Sequence, residues 1–118
     1  MAFTITQTDK RRFSRLACDI PSTVRNLDDT DKNRYTLAET TVRDISEGGV
    51  RFRSNHFIAV HHRLLFKLSM PRQRPIEAMG RPAWVTELPH LGQYEIGAQF
   101  TSLSAEDRGL IRAFVAGR

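Results

Sequence analysis

Alternating hydrophobic and polar residues recur along most of the chain, and a period of two indicates β-strands with one buried face. Val50 and Phe52 share one parity, whereas Arg51 and Arg53 have the other. Three further sets alternate in the same way: Leu16, Cys18, Ile20 and Val24; Leu64, Phe66, Leu68 and Met70; Tyr94, Ile96, Ala98 and Phe100. Each of these patterns predicts a strand.

Two other segments predict strands without clean alternation. Residues 35–42 are rich in threonine and β-prone, and residues 76–86 favour one long strand. Gly80 and Pro82 interrupt the second segment, and such residues mark a bend, a bulge or an edge. About six strands with short connections predict a mainly β fold, either a small antiparallel barrel or a sandwich.

The hydrophobic period changes near the C-terminus, where the sequence predicts one α-helix. Ser104 stands three residues before Asp107, which is close to a capping box, and Glu106 suits the helix dipole. Gly117 is the expected stop signal. The helix should pack against the sheet or cover a barrel opening through an apolar face made of Leu110, Ile111, Phe114 and Val115.

Length and composition fit a single domain. The chain has 118 residues, 40% of them hydrophobic and 26% charged, without internal repeats. We therefore expect one domain over residues 1–118. It consists of a basic N-terminal arm (1–15), a β body (16–101) and the helix (104–116).

Charge and cysteine content narrow the classes of function. The net charge of +5 and the pI of about 10.1 are compatible with an anionic partner. A single cysteine, Cys18, cannot form an internal disulfide, which favours the cytoplasm. No apolar run approaches the roughly 20 residues of a membrane helix, and the N-terminus lacks a signal-peptide pattern. The sequence predicts a cytoplasmic protein without a membrane partner.

Catalytic and metal-binding patterns are missing from the sequence. There is no nucleophile motif and no Gly-x-x-x-x-Gly-Lys loop. Metal-ligand spacing is also lacking among the histidines, which are His56, His61, His62 and His90. The chain is therefore predicted to be neither an enzyme nor a metal-binding protein.

The stretch VRDISEGGVRF, residues 42–52, gathers polar side chains around two glycines. Asp44 and Ser46 are two residues apart, so their side chains leave an extended chain on the same side. Residues 46–49 predict a tight turn in which glycine permits a positive φ. Val42 and Ile45 cannot both point inward from a regular strand, which predicts a bulge near Asp44. The alternative is an ordinary hairpin in which Asp44 and Ser46 only bond the turn backbone.

Four positive charges lie within residues 10–15, just before the first strand. They are Lys10, Arg11, Arg12 and Arg15, with Phe13 among them as a candidate anchor for the arm. A solvated basic tail is one interpretation. The planar fork of arginine favours another, in which the arm holds a phosphate or the O6/N7 edge of guanine.

Together these two segments resemble the PilZ domain, a bacterial receptor for cyclic di-GMP. Arg11-Arg-Phe-Ser-Arg15 matches the Arg-x-x-x-Arg motif of that family, and Asp44-Ile-Ser-Glu-Gly-Gly49 matches its Asp/Asn-x-Ser-x-x-Gly motif. The Gly-Arg-x-x-Trp-Val run at residues 80–85 and the late strand before the helix are also similar. The resemblance implies a six-stranded antiparallel β-barrel with one C-terminal α-helix.

The resemblance also implies roles for the motif residues. Arg11 and Arg15 would clamp phosphates and guanine edges, and Arg12 would do the same or stack on a base. An ionised Asp44 can only accept hydrogen bonds, so it suits the N1–H and N2–H₂ donors of guanine. Ser46 would donate or accept nearby, and Gly49 would let the backbone come close.

Two residues are weaker candidates for the same ligand. Trp84 would either face a base or belong to the core or the barrel rim. Lys10 stands where the family has an arginine when two intercalated ligands bind and an apolar residue when one binds. Because Lys10 keeps the positive charge, we expect two ligands per domain.

The expected mechanism is a switch in the arm, without a resident cofactor. Cyclic di-GMP would bridge the arm to Asp44 and Ser46, and the ordered arm would signal to an unknown effector protein. Two alternatives remain open. One is a PilZ-fold adaptor that does not bind nucleotide, and the other is a small basic nucleic-acid-binding barrel, although no nucleic-acid partner is expected.

Overall fold

Six strands and one α-helix make up the computed structural model, which describes residues 13–28 and 37–117. The strands are β1 (Arg15–Asn26), β2 (Leu37–Ser46), β3 (Gly49–Ser54), β4 (Leu64–Leu68), β5 (Ile76–Leu88) and β6 (Gln93–Ser102). A short 3-10 helix (Pro89–Leu91) joins β5 to β6, and helix α1 spans Ala105–Val115.

The strands close into an antiparallel barrel in the order β1-β2-β3-β6-β5-β4, and β4 pairs with β1 to close it. Strands that are consecutive in the chain are neighbours in the barrel, except β3 and β4. The two other neighbouring pairs are β3 with β6 and β4 with β1. The prediction of a six-stranded antiparallel barrel with a C-terminal helix is therefore confirmed, and the sandwich is excluded.

Alternation along the strands fills the barrel interior. Val50 and Phe52 of β3 are buried, whereas Arg51 and Arg53, which alternate with them, are half-exposed on the outer face. The Phe52 ring packs edge-to-face against Phe66 of β4, with ring centroids 5.6 Å apart. Both side chains are almost fully buried, and burial of one phenylalanine contributes about 1.5–3 kcal/mol.

Irregular pairing occurs where the sequence predicted it. The register between β2 and β3 shifts between Val42 and Asp44. This bulge lets Val42 and Ile45 both be fully buried although they are three residues apart. The register between β5 and β6 shifts at Gly80 and again after Pro82.

Helix α1 begins and ends as predicted, but Asp107 in its first turn has a partner that the sequence did not predict. Ser104 Oγ accepts a hydrogen bond from the backbone N–H of Asp107 at 3.0 Å. The Asp107 carboxylate lies 2.7 Å from Arg74 Nη2, so it ties the helix to the β4–β5 loop. Ile111 is fully buried, and Gly117 follows the helix with a φ of 82°. No helix in this described part of the chain is long and apolar enough to cross a membrane.

The start of β1 corrects the predicted boundary of the arm. Arg15, which the sequence assigned to the arm, is the first residue of β1 and stands opposite Ser46 of β2. Backbone pairing thus holds Arg15 beside the second motif. Lys10, Arg11 and Arg12 lie outside the described residues.

Candidate functional site

The two sequence motifs meet in a forked ion pair between Arg15 and Asp44. Arg15 Nε donates to Asp44 Oδ1 and Arg15 Nη2 donates to Asp44 Oδ2, each at 3.0 Å. A ligand is therefore not needed to join Arg15 to Asp44, whereas the predicted ordering of Lys10, Arg11 and Arg12 concerns residues outside those that the structure describes. The fork uses two of the five N–H groups of a guanidinium, so about three remain available as donors to a ligand.

Ser46 stabilises the turn between β2 and β3. Its Oγ accepts a hydrogen bond from Gly48 N at 3.0 Å, which is the structural role that the sequence left open. Because a hydroxyl both donates and accepts, this bond still leaves Ser46 a hydrogen to donate. Ser46 therefore fits both the structural and the ligand-binding interpretation.

Gly49 at the start of β3 is explained by close packing. The sequence predicted a positive φ in this turn, and that prediction is wrong for Gly49. Among the described glycines only Gly92 and Gly117 have a positive φ. A Cβ atom placed on Gly49 would stand 2.0 Å from the carbonyl oxygen of Ala98 in β6. The β3 backbone thus approaches β6 too closely for any side chain at Gly49.

An open cleft of about 360 Å³ lies on the outer wall of the barrel beside this turn. Arg15 and Ser46 line it together with Gly49, and Trp84 of β5 lines it too. Asp44 does not line the cleft, but it bonds Arg15, which does. The fold thus brings four candidates from three distant parts of the sequence to one cleft and places the fifth, Asp44, directly behind Arg15.

Trp84 is one of two aromatic residues that line this cleft. It stands opposite Gly97 of β6, and a Cβ atom on Gly97 would lie 2.3 Å from the indole ring. The side chain is 40% exposed, so Trp84 does not belong to the buried core. Gly97 was not among the residues predicted from the sequence, although a glycine on the polar side of the clearest strand was a usable signal of close approach.

Phe13 packs against the turn, as expected of an anchor. Its ring lies 3.1 Å from where a Cβ atom of Gly48 would be. The Arg108 guanidinium of helix α1 lies over the same ring, 5.9 Å from its centroid. A cation over an aromatic face at this distance is attractive. Phe13 therefore links the cleft, which it lines, to the helix.

The outer arginines of β3 form a chain of ion pairs beside the fork. Arg51 Nη1 donates to Glu95 Oε2 at 2.7 Å, and Arg53 Nε lies 3.7 Å from the same oxygen. Arg51 Nε also lies 3.8 Å from Asp44 Oδ2. These contacts cross from β2 through β3 to β6, so Arg51 and Arg53 stabilise the outer wall that carries the cleft.

Cys18 lies in a second hollow, of about 430 Å³, which Arg43 also lines. Its Sγ donates to the carbonyl oxygen of Val42 at 3.5 Å. Burial raises the pKa of the Cys18 thiol to about 11, and the nearby Asp44 carboxylate adds to the rise. The thiol is thus protonated at neutral pH and a poor nucleophile.

Metal ligation was not predicted from the sequence. Within residues 13–28 and 37–117, no group of three or more His, Cys, Asp or Glu side chains has the arrangement to hold a metal ion. The polar groups at the cleft are instead hydrogen-bond donors and acceptors beside the aromatic rings of Phe13 and Trp84. Such a set suits an anionic ligand that carries a flat ring system.

The fold and the cleft define a class of protein, namely a small closed β-barrel with a charged and aromatic cleft on its outer wall. The sequence pattern of the PilZ domain family matches residues 9–117. The chain therefore belongs to the PilZ domain family. Among curated proteins, none is similar enough to match the chain.

Solved structures of PilZ proteins share the fold. The PilZ domain of YcgR from Escherichia coli, solved with c-di-GMP, has a TM-score of 0.70 and 11% identity, covering 92% of this chain and 90% of that one. The Bacillus subtilis inhibitor of motility, MotI/DgrA, has a TM-score of 0.77 and 14% identity, covering 92% of this chain. Borreliella burgdorferi PlzA in complex with c-di-GMP has a TM-score of 0.60 and 13% identity, covering 95% of this chain and 44% of that one.

At these identities the likeness concerns the fold. The chain also spans only 51% of the length of the Bacillus subtilis motility inhibitor.

Proposed function

We propose that this domain is a cyclic di-GMP receptor that binds the nucleotide in the cleft of the outer barrel wall. The observation that supports this best is a single cleft of about 360 Å³ lined by Arg15, Ser46, Gly49 and Trp84, with Asp44 bonded to Arg15. PilZ structures of similar fold were solved with that ligand. The domain acts as a binding module and not as an enzyme.

The roles of the cleft residues follow from their contacts. Arg15 keeps its orientation through Asp44 and donates its remaining N–H groups to a phosphate or a guanine edge. Each Asp44 oxygen has a second lone pair for a guanine N–H donor. Ser46 donates its hydroxyl hydrogen and the Trp84 indole stacks on a base, while Gly49 keeps the β3 backbone close to β6 beside the cleft.

The arm completes the site in this proposal. Arg11 and Arg12 would bind the ligand from the side opposite the barrel, with Lys10 adding positive charge. Cyclic di-GMP should therefore slow trypsin cleavage after Lys10, Arg11 and Arg12. Cleavage after Arg72, in the β4–β5 loop, should continue unchanged and serves as the internal control.

Isothermal titration calorimetry tests the proposed function. Cyclic di-GMP should bind, whereas GMP and a short RNA should bind far more weakly. Absence of binding at about 50 µM cyclic di-GMP would refute the proposal, because a receptor with a Kd of about 1 µM would be almost fully occupied at that concentration. Two ligands per domain are expected, and a stoichiometry near one would contradict the role given to Lys10.

Substitution of Arg15 gives the sharpest variant for this test. Arg15→Ala should weaken cyclic di-GMP binding by about 1.5–3 kcal/mol, the scale of a charged hydrogen bond. The Arg15 side chain is 33% exposed and the Asp44 side chain 18%, so the lost ion pair should cost the fold at most about 1 kcal/mol. Binding as tight as that of the wild type would contradict the role of Arg15.

A PilZ-fold adaptor that binds no nucleotide is the second candidate. It is favoured by the Arg15–Asp44 fork and the Ser46–Gly48 bond, since these contacts satisfy the motif residues within the chain. The same titration separates the two candidates. In either case the output is contact with an effector protein, in the bacterial cytoplasm that the lone Cys18 thiol favours.

A further inference from the structure

Helix α1 holds the β2–β3 turn through Glu47, the turn residue between Ser46 and Gly48. Its carboxylate accepts hydrogen bonds from Arg112 Nε at 3.0 Å and from Arg112 Nη2 at 3.1 Å. The backbone carbonyl oxygen of Glu47 accepts a third bond from Arg108 Nη1 at 3.4 Å. Arg108 and Arg112 of the helix thus both donate hydrogen bonds to Glu47 of the turn.

The same two elements meet a second time at Phe13. The ring packs on Gly48, and the Arg108 guanidinium covers it from the helix side. Phe13 and Gly48 both line the cleft. The helix is therefore bonded to the turn residue Glu47 on one side and packed against a cleft residue on the other.

We propose that Glu47 is a positioning residue for the ligand site, through which helix α1 fixes the turn that carries Ser46 and Gly49. This inference rests on the proposed cyclic di-GMP function. The turn contains two glycines, whose backbone loses the most conformational freedom on becoming ordered. A bidentate anchor at its tip removes part of that freedom before the ligand arrives, which favours binding.

One partner of this ion pair is largely shielded from solvent. The Glu47 side chain is only 15% exposed, although that of Arg112 is 63% exposed. Hydrogen bonding from Arg112 also lowers the pKa of the Glu47 carboxyl. The N-terminal end of the helix is held independently, by Arg74 with Asp107.

Binding energies are reciprocal, so a turn that the helix positions must in return report its ligand to the helix. Cyclic di-GMP in the cleft should slow amide hydrogen exchange in residues 109–115 of α1, although none of these residues lines the cleft. The coupling would give the helix surface a ligand-dependent stability that an effector protein can read.

The test compares the wild type with Glu47→Gln, which keeps the size of the side chain and removes its charge. Glu47→Gln should weaken cyclic di-GMP binding about three- to tenfold, while the midpoint of thermal unfolding stays near that of the wild type. Arg74→Gln loosens the same helix at its other end and should leave affinity unchanged. The charge-swapped pair, Glu47→Arg with Arg112→Glu, should recover most of the affinity.

Hydrogen exchange supplies the second readout. Saturating cyclic di-GMP should slow exchange in residues 109–115 severalfold in the wild type and much less in Glu47→Gln. Without ligand, Glu47→Gln should speed exchange at residues 48–50. The ligand-free measurement at residues 48–50 tests the inference even if the wild type binds no nucleotide. Absence of nucleotide binding alone would refute only the proposed function.

Two outcomes would overturn the inference. The first is unchanged affinity in Glu47→Gln together with unchanged exchange at residues 48–50. The second is an equal loss of affinity in Arg74→Gln, because any loosening of the helix would then suffice and Glu47 would have no special role.

Discussion

Alanine at Gly97 should separate the ligand cleft from the stability of the barrel. In the structure the Trp84 indole lies directly over Gly97, and a new Cβ atom would stand 2.3 Å from its Nε1 and Cε2 atoms. Carbon atoms in contact normally keep about 3.5–4.0 Å, so the ring must retreat by more than about 1 Å. Since the obstacle is a side chain that is already 40% exposed, the ring can move without displacing a strand.

The expected magnitudes follow from this geometry. Stacking of a base on an aromatic side chain contributes about 1–3 kcal/mol. If Trp84 stacks a guanine as proposed, Gly97→Ala should weaken cyclic di-GMP binding by about 5- to 150-fold. The free energy of unfolding should fall by no more than about 1–2 kcal/mol, the lower part of the range for overpacked sites.

Fluorescence and calorimetry measure the two effects separately. Trp84 is the single tryptophan of the chain, so its emission reports this ring alone and should shift to longer wavelength in Gly97→Ala. Gly109→Ala is the matched control, because nothing lies within 4 Å of its new Cβ atom. Alanine in a helix should stabilise by about 0.5–1 kcal/mol and leave the affinity unchanged. Wild-type affinity in Gly97→Ala, with shifted emission, would refute the stacking role of Trp84.

Three further predictions concern stability and reactivity. Gly49→Ala should lower the free energy of unfolding, measured in urea, by about 1–3 kcal/mol or more. The new Cβ would meet the backbone oxygen of Ala98, which cannot rotate away. A wild-type free energy of unfolding would contradict this. Burial raises the pKa of Cys18 to about 11, so its alkylation by iodoacetamide should rise about tenfold per pH unit through pH 10, whereas a plateau near pH 9 would contradict it. Hydrogen bonds from Arg63 lower the pKa of Asp28 to about 2, below its unfolded value near 3.9. The pair therefore stabilises the fold above about pH 4 and loses this effect as the pH falls through 2, so thermal melts of Asp28→Asn should converge with the wild type only in acid.

Local signals in the sequence predicted most of the fold. The three-residue spacing of Val42 and Ile45 predicted the β2 bulge, and Ser104 predicted the helix start, because both depend on near neighbours in the chain. The partner of Asp107 could not be predicted this way. Arg74 stands far from it along the chain, and only the closed barrel brings the β4–β5 loop to the helix.

The candidate site shows the same limit. The motifs predicted that Arg15 and Asp44 act together, but not that they bond each other directly. The need for Gly49 was predicted for the wrong reason, because the strand it approaches, β6, becomes a neighbour of β3 only in three dimensions. Gly97 was missed because its partner Trp84 lies on another strand.

The short length of β4 has a consequence for association between copies of the chain. β4 pairs only with residues 22–26 of β1 and 76–80 of β5, so residues 81–88 of β5 extend beyond it. An overhanging strand is a template on which another chain can add a strand and begin to aggregate. Pro82 removes one backbone N–H from this overhang, and the exposed charges of Arg81 and Glu87 flank it. We expect these residues to protect the overhang. Replacing them with β-branched apolar residues should promote pairing of another chain with residues 81–88 of β5.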